Sequence, residues 1–282
     1  MLRHLRINRD RQGGISGYNN MVMNSLRTLL VQARIRWKDP EENRAHLHSL
    51  VQQSDGTFDL LVLPETFTTG FLGDSDLPQE DMQGSSVAWM KSLAEEFDSA
   101  VAGSVVIMEG GQRYNRLIFV TPNGETTHYD KRHLFAFGGE NRRYTPGHSR
   151  VVINYREWRI CLQICYDLRF PAWCRNRDDY DLMLLVANWP AKRVHHWLAL
   201  LEARAIENQS WVIGLNRVGK DGNGLDYPGR SVVFDALGAS AADLGGEECT
   251  KLVTLDLKQL KQIRRDFPFQ NDADTFFLND LD

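Results

Sequence analysis

Cysteine is scarce in this chain, with only Cys161, Cys165, Cys174 and Cys249 among 282 residues. No two of them have CxxC spacing, and so few thiols make no disulfide framework, which points to a reducing, cytoplasmic setting. The histidines complete no zinc pattern, because His195 and His196 are adjacent rather than one helical turn apart. Also lacking is any run approaching 18 apolar residues, so no segment is long enough to span a membrane as a helix. Charge of one sign is not in excess either. The formal net charge is −4, which gives none of the concentrated basic surface a nucleic acid needs. These absences exclude several classes of protein and lead us to expect no metal, cofactor, nucleic acid or membrane as partner.

The two ends differ from the rest. Arg3, Arg6, Arg9 and Arg11 face a single Asp10, and glycines and asparagines follow without the apolar stretch of a secretory signal. Residues 1–22 therefore read as a flexible extension, with translation starting at Met1, Met21 or Met23. Residues 23–282 read as one domain. Its last stretch carries four Asp together with Phe267, Phe269, Phe276 and Phe277, too aromatic for a plain acidic tail, and is expected to be an arm packed on the domain.

Between the ends, short β-rich runs alternate with helical ones. Strands are expected over residues 26–31, 60–63, 100–108, 116–121, 125–129, 151–154, 158–164, 182–187, 211–216, 231–235 and 251–256. Helices are expected over 40–53, 85–97, about 170–176, and 191–208, the first with Asp39 as its cap and Pro40 in its first turn. Asn123-Gly124 supplies the positive φ of a hairpin turn. Strands mixed with helices in both halves predict two mixed sheets covered by helices.

Three chemically able residues each sit just past a β-rich run: Glu65, Lys131 and Cys165. If their strands meet, the three side chains share the rim where α/β sheets place ligands. There a carboxylate can take a thiol's proton and return it to a departing amine. An ammonium and the N–H of Tyr166 can hold the oxyanion of a tetrahedral intermediate. Glu140, nine residues after Lys131, is a second carboxylate candidate. Each residue also has a plainer role. Cys165 could be a small core hydrophobe, as Cys161 is expected to be. Glu65 could cap the next segment, Lys131 could be one charge in the solvated run Asp130-Lys131-Arg132, and Arg169 could pair with Asp167 or Glu202.

The strings around these residues resemble the carbon–nitrogen hydrolase (nitrilase) superfamily. They are Leu63-Pro64-Glu65 with Phe67-Thr68-Thr69-Gly70-Phe71, Tyr129-Asp130-Lys131-Arg132-His133, and Cys165-Tyr166-Asp167-Leu168-Arg169-Phe170-Pro171. Ala187-Asn188-Trp189-Pro190 and the run from Asn216 to Gly224 follow in the family's order. The resemblance covers residues 25–274. It implies a four-layer αββα sandwich, pairing into a homodimer, with Glu65 as base, Lys131 as oxyanion donor, Cys165 as nucleophile, Glu140 as supporting carboxylate and Tyr166 as backbone oxyanion donor. Within the family the strings look most like the omega-amidases, which release ammonia from the side-chain amide of 2-oxoglutaramate or 2-oxosuccinamate. Such a small anionic substrate needs a second cation, for which Arg193 is the candidate, with Trp189 and Phe71 as walls. Ala236 departs from the family, whose members often carry proline there. Another amidase or an N-carbamoyl amino acid hydrolase would keep the same three catalytic residues. A nitrilase, a non-catalytic relative and an unrelated Cys-His peptidase are the more distant alternatives.

Overall fold

The computed structural model describes residues 24–72 and 80–278, and the expected extension over 1–22 lies outside them. In chain order, β1 (Ser25–Gln32), β2 (Leu60–Val62), β3 (Ala100–Glu109), β4 (Gln112–Val120) and β5 (Thr126–Asp130) come first. Helix α1 (Pro40–Gln52) separates β1 from β2, and α2 (Ser85–Glu96) separates β2 from β3. The second half begins with β6 (Val152–Tyr155), β7 (Trp158–Ile164), β8 (Leu182–Ala187) and β9 (Trp211–Asn216). A single turn, α3 (Pro171–Cys174), follows β7, and α4 (Val194–Asn208) joins β8 to β9. Then come β10 (Val218–Lys220), β11 (Asp226–Pro228), β12 (Val232–Phe234), β13 (Ser240–Asp243), β14 (Cys249–Asp256) and α5 (Leu257–Asp266).

These strands make two six-stranded sheets, ordered β14-β1-β2-β3-β4-β5 and β13-β12-β9-β8-β7-β6, with β10 and β11 as a separate pair. In each sheet three neighbouring strands run parallel, β1-β2-β3 in one and β7-β8-β9 in the other, and the remaining pairs are antiparallel. Strands such as Leu60-Leu61-Val62 and Leu182–Ala187 are buried at every residue, as central strands covered on both faces must be.

Three apolar clusters define the layers. The one between the sheets joins Leu30, Val62 and Phe119 of the first to Ile160, Leu184 and Ile213 of the second. Beneath α1 and α2, Leu47, Val51, Met90 and Leu93 pack on the outer face of the first sheet. Trp197, Leu201 and Ala205 of α4 do the same on the second. Each such side chain contributes about 1.5–3 kcal/mol on leaving water. The architecture is thus helix, sheet, sheet, helix, as expected.

Local chemistry accounts for the boundaries. Asp39 accepts the N–H of Glu42 and Pro40 opens α1, so the helix begins where the sequence placed it. The helix expected over about 170–176 is different: Cys165–Arg169 forms a 3-10 turn and only Pro171–Cys174 is α-helical. Pro171 holds Phe170 extended and breaks the two apart. Helix α5 had no counterpart among the expected elements. Its sequence is mostly polar, with Leu257 and Leu260 buried, and Asp256 caps it by accepting from Lys258 and Gln259. The arm beyond α5 touches the domain at Gln270 and Phe276 and is otherwise mostly exposed. Gln270 donates to the Glu207 carbonyl and the Arg177 guanidinium lies 5.1 Å from the Phe276 ring centre, although Phe267 and Phe277 stay exposed. Among the described residues no helix is long and apolar enough to cross a membrane.

Candidate active site

Glu65, Lys131 and Cys165 converge because each leaves its strand at the same rim of the sandwich. Glu65 follows β2 after Pro64, and Thr66 beyond it turns the chain with a φ of 43°. Lys131 is the residue after β5, and Cys165 the residue after β7. Cys165 has a φ of 44°, in the left-handed region that a non-glycine residue enters only when its surroundings hold it there. This bend opens the 3-10 turn, whose first N–H groups, that of Tyr166 included, have no partner within the turn.

Asp167 holds the bend. Fully buried, it accepts from the Ile164 N–H, the Tyr129 hydroxyl, and both the N–H and ring Nδ1 of His133, at 2.8–3.0 Å. The strand end carrying Lys131 is thereby fastened to the turn carrying Cys165.

The Lys131 ammonium is buried, not solvated. Its Nζ lies 3.0 Å from Glu65 Oε1 and 3.0–3.1 Å from both oxygens of Glu140. Burial pulls the ammonium down, but Glu140 and Glu65 outweigh it and hold the lysine well above its ordinary value, charged at any working pH. Burial, opposed by Lys131 and reinforced by Glu65, pushes the Glu140 carboxyl up. For Cys165, burial first and then Glu65 push the thiol well above its usual value, with Lys131 opposing. The resting thiol is therefore protonated and needs a base at the moment of attack.

Three asparagines complete the frame. The Asn188 N–H donates to Glu65 Oε2 at 2.6 Å while its side-chain amide donates to the Glu65 carbonyl and the Thr66 hydroxyl. Its carbonyl lies 3.9 Å from the Cys165 sulfur. Asn115 donates to Glu65 and Glu140. Asn216 accepts from the Trp189 N–H and donates to the Trp189 carbonyl, fixing that residue's backbone.

An open cleft of about 450 Å³ leads to the sulfur. Phe71, Phe135, Tyr166, Trp189, Leu225 and Tyr227 give it apolar walls, and Lys131, Arg169 and Arg193 are its cations. Arg193 lies 5.3 Å from the Phe135 ring centre and Arg169 lies 4.8 Å from that of Trp189. Arg193, Trp189 and Phe71, the candidates for the substrate pocket, all line this cleft. Arg169 pairs with neither Asp167 nor Glu202, but lies on Trp189 and reaches His196 at 3.2 Å, because Asp167 already serves Tyr129 and His133. Among the described residues no three acidic, histidine or cysteine side chains gather as a metal site would require.

A family model described as carbon–nitrogen hydrolase matches residues 28–265. The chain belongs to that family. This carbon–nitrogen hydrolase is 43% identical over 260 residues to the omega-amidase YafV of Yersinia enterocolitica, covering 91% of its own length and 100% of the relative's. The 2-oxoglutaramate amidase of Bacillus subtilis is 30% identical over 247 residues, 86% of this chain and 95% of that one. Among solved structures, XC1258 from Xanthomonas campestris, a CN-hydrolase superfamily protein with an arsenic adduct in its active site, is 44% identical. It superposes with a TM-score of 0.88 over 90% of this chain and 99% of that one. The enzyme is therefore an amide-cleaving hydrolase of the nitrilase superfamily that works through a catalytic cysteine.

Residues of the site not singled out from the sequence include Asn115, Asn188 and Asn216, with Phe135, Leu225 and Tyr227 of the cleft walls. Asn188 and Asn216 stood inside strings that carried the resemblance, so a signal existed. Asn115 lies within β4 and nothing local marks it.

Proposed function

We propose that this hydrolase is an omega-amidase, taking the side-chain amide of a small 2-oxo acid such as 2-oxoglutaramate or 2-oxosuccinamate. The observation that carries the proposal is a pair of guanidinium groups, Arg169 and Arg193, in a cleft whose other walls are mostly aromatic. A neutral amide gains nothing from two cations, whereas a carboxylate accepts paired hydrogen bonds from either. The amidase names of the relatives support the same substrate class.

In this mechanism Glu65 takes the thiol proton as the Cys165 sulfur bonds to the amide carbon. The carbonyl oxygen becomes an oxyanion held by the Lys131 ammonium and the Tyr166 N–H. Glu65 returns the proton to nitrogen, the C–N bond breaks and ammonia leaves a thioester. Water, deprotonated by the same carboxylate, then attacks the thioester; the acid departs and the proton returns to sulfur. Glu140 keeps Lys131 oriented throughout.

Ammonia release from the two 2-oxo acid amides, an N-carbamoyl amino acid, a neutral aliphatic amide and a nitrile tests the assignment. Highest kcat/KM for a 2-oxo acid amide is expected, and preference for any of the others overturns it. Arg193→Ala should raise KM for 2-oxo acid amides far more than for neutral amides; equal effects would remove Arg193 from the carboxylate. We further propose a cytoplasmic homodimer, supported by the exposed apolar groups Ile206, Leu237 and Phe267. Light scattering should give twice the 32.3 kDa chain mass.

A further inference from the structure

Asn115 is placed as if the two carboxylates had been built around it. Its side-chain nitrogen donates to Glu65 Oε1 at 2.7 Å and to Glu140 Oε1 at 3.2 Å. The same two oxygens accept from Lys131. One neutral amide and one ammonium therefore cross-link a pair of like charges. The amide is itself held: its oxygen accepts from the Ser104 hydroxyl at 2.9 Å, and that hydroxyl accepts the Thr66 N–H at 2.7 Å. The Asn115 carbonyl accepts the Lys131 N–H at 3.0 Å. All of these groups are buried.

We infer that Asn115, held by Ser104, is a positioning residue that fixes the carboxylate plane of Glu65 through both of its protonation states. The inference rests on Glu65 being the base. The geometry divides the work between that residue's oxygens. Oε1 is occupied by two donors, Asn115 and Lys131, whereas Oε2 accepts the Asn188 N–H at 2.6 Å. A carboxylate oxygen has two lone pairs, so Oε2 keeps one for the thiol proton. The Glu65 carboxylate adjoins the thiol, acting on Cys165 both by charge and by a side-chain hydrogen bond. Once Oε2 carries the proton, Oε1 is a carbonyl oxygen that still accepts from Asn115. A neutral amide cannot exchange a proton with either glutamate, so the cross-link survives the transfer unchanged. Without Asn115, Oε1 would keep only the Lys131 ammonium as a donor, and that ammonium is shared with Glu140.

The charged and titratable groups facing the pair are Lys131, Cys165, Tyr144 and Tyr227, with Arg169 and Arg193 across the cleft. None of them replaces an amide that donates to both glutamates. Removing it takes a donor from the charged forms, so protonation of the pair moves to higher pH.

The test is the pH profile of kcat/KM and the split between kcat and KM for Asn115→Ala, Ser104→Ala and Glu65→Gln, on the best amide substrate. Asn115→Ala should lower kcat by about 100-fold, within the ~10²–10⁴ that a positioned base supplies, with KM changed less than about threefold. Its acid limb should shift upward by about one pH unit. Ser104→Ala should move both readouts in the same direction by less, and it carries the test should Asn115→Ala not fold. An acid limb unmoved in the folded variants, with a fall in thermal stability alone, overturns the inference. Retention of turnover in Glu65→Gln overturns the underlying assignment of the base instead. An inactive Glu65→Gln beside an unshifted Asn115→Ala isolates the failure to the positioning role.

Discussion

A buried ammonium between two glutamates looks like an ion pair kept for stability, yet its cost makes that a poor explanation. Desolvating three charges takes several kcal/mol each, and a buried pair seldom repays it better than apolar packing would. Lys131 is instead held where it can donate to an oxyanion. Lys131→Met should lower kcat by roughly 10²–10³, as loss of one oxyanion donor does. The same change removes the cation that draws the Cys165 thiol down. Iodoacetamide should then alkylate Cys165 more slowly at pH 7 than in the wild type, and equal rates would show that the thiol does not sense the lysine. At this scale the catalytic candidates were legible because each follows a β-rich run in a recognisable string. Asn115 was not, because a polar residue within a strand has no sequence mark that separates a buried donor from a solvent-facing one.

Elements place these residues through two devices, a left-handed bend and a buried carboxylate that holds it. Asp167 serves four donors from two segments, one holding Tyr129 and His133 and the other Ile164. Asp167→Ala should cost about 3 kcal/mol or more, because the donors it strands are buried. Urea unfolding would measure it, and a loss under about 1 kcal/mol would mean that water replaces the carboxylate. The parallel strands and α4 were readable from unbroken or periodic apolar runs. Helix α5 was not, although Leu257, Leu260 and Ile263 recur at helical spacing, because its sequence is otherwise polar and its cap, Asp256, closes the preceding strand. The helix expected over about 170–176 was read too long, since it is a single turn that ends at Cys174.

The whole molecule is fastened by carboxylates at the end of the sandwich away from the cleft. Asp59 takes Arg27 and Arg156, and Asp181 takes Arg159 and Arg264, joining β7 to α5. For each, burial pushes the carboxyl up but the arginine hydrogen bonds and charges outweigh it, leaving it below its ordinary value. A depressed folded value means these groups stabilise the fold above about pH 4 and lose that contribution as pH falls through the lower folded value. Urea midpoints should therefore be level from pH 7 to about 5 and drop below about 4. In Asp181→Asn the drop should be shallower and the unfolding free energy at pH 7 lower by about 2 kcal/mol, since its arginines keep some water. An unchanged acid drop would assign it to other carboxylates. The layered architecture was legible from alternation alone. The pairing of sheet edges was not, because β14 returns to β1 from more than 200 residues away.

The two sheets carry a further consequence in their strand order. From β1 through β5 the chain makes three parallel strands and then two antiparallel ones, and from β7 through β9, β12 and β13 it makes the same pattern again. Glu65 after β2 and Asn188 after β8 occupy equivalent stations in these halves, and they are bonded to each other. Glu65 and Lys131 belong to one half, Cys165, Arg169 and Arg193 to the other. Neither repeat is an enzyme by itself; the chemistry is a property of their union, made at the moment the two sheets close face to face.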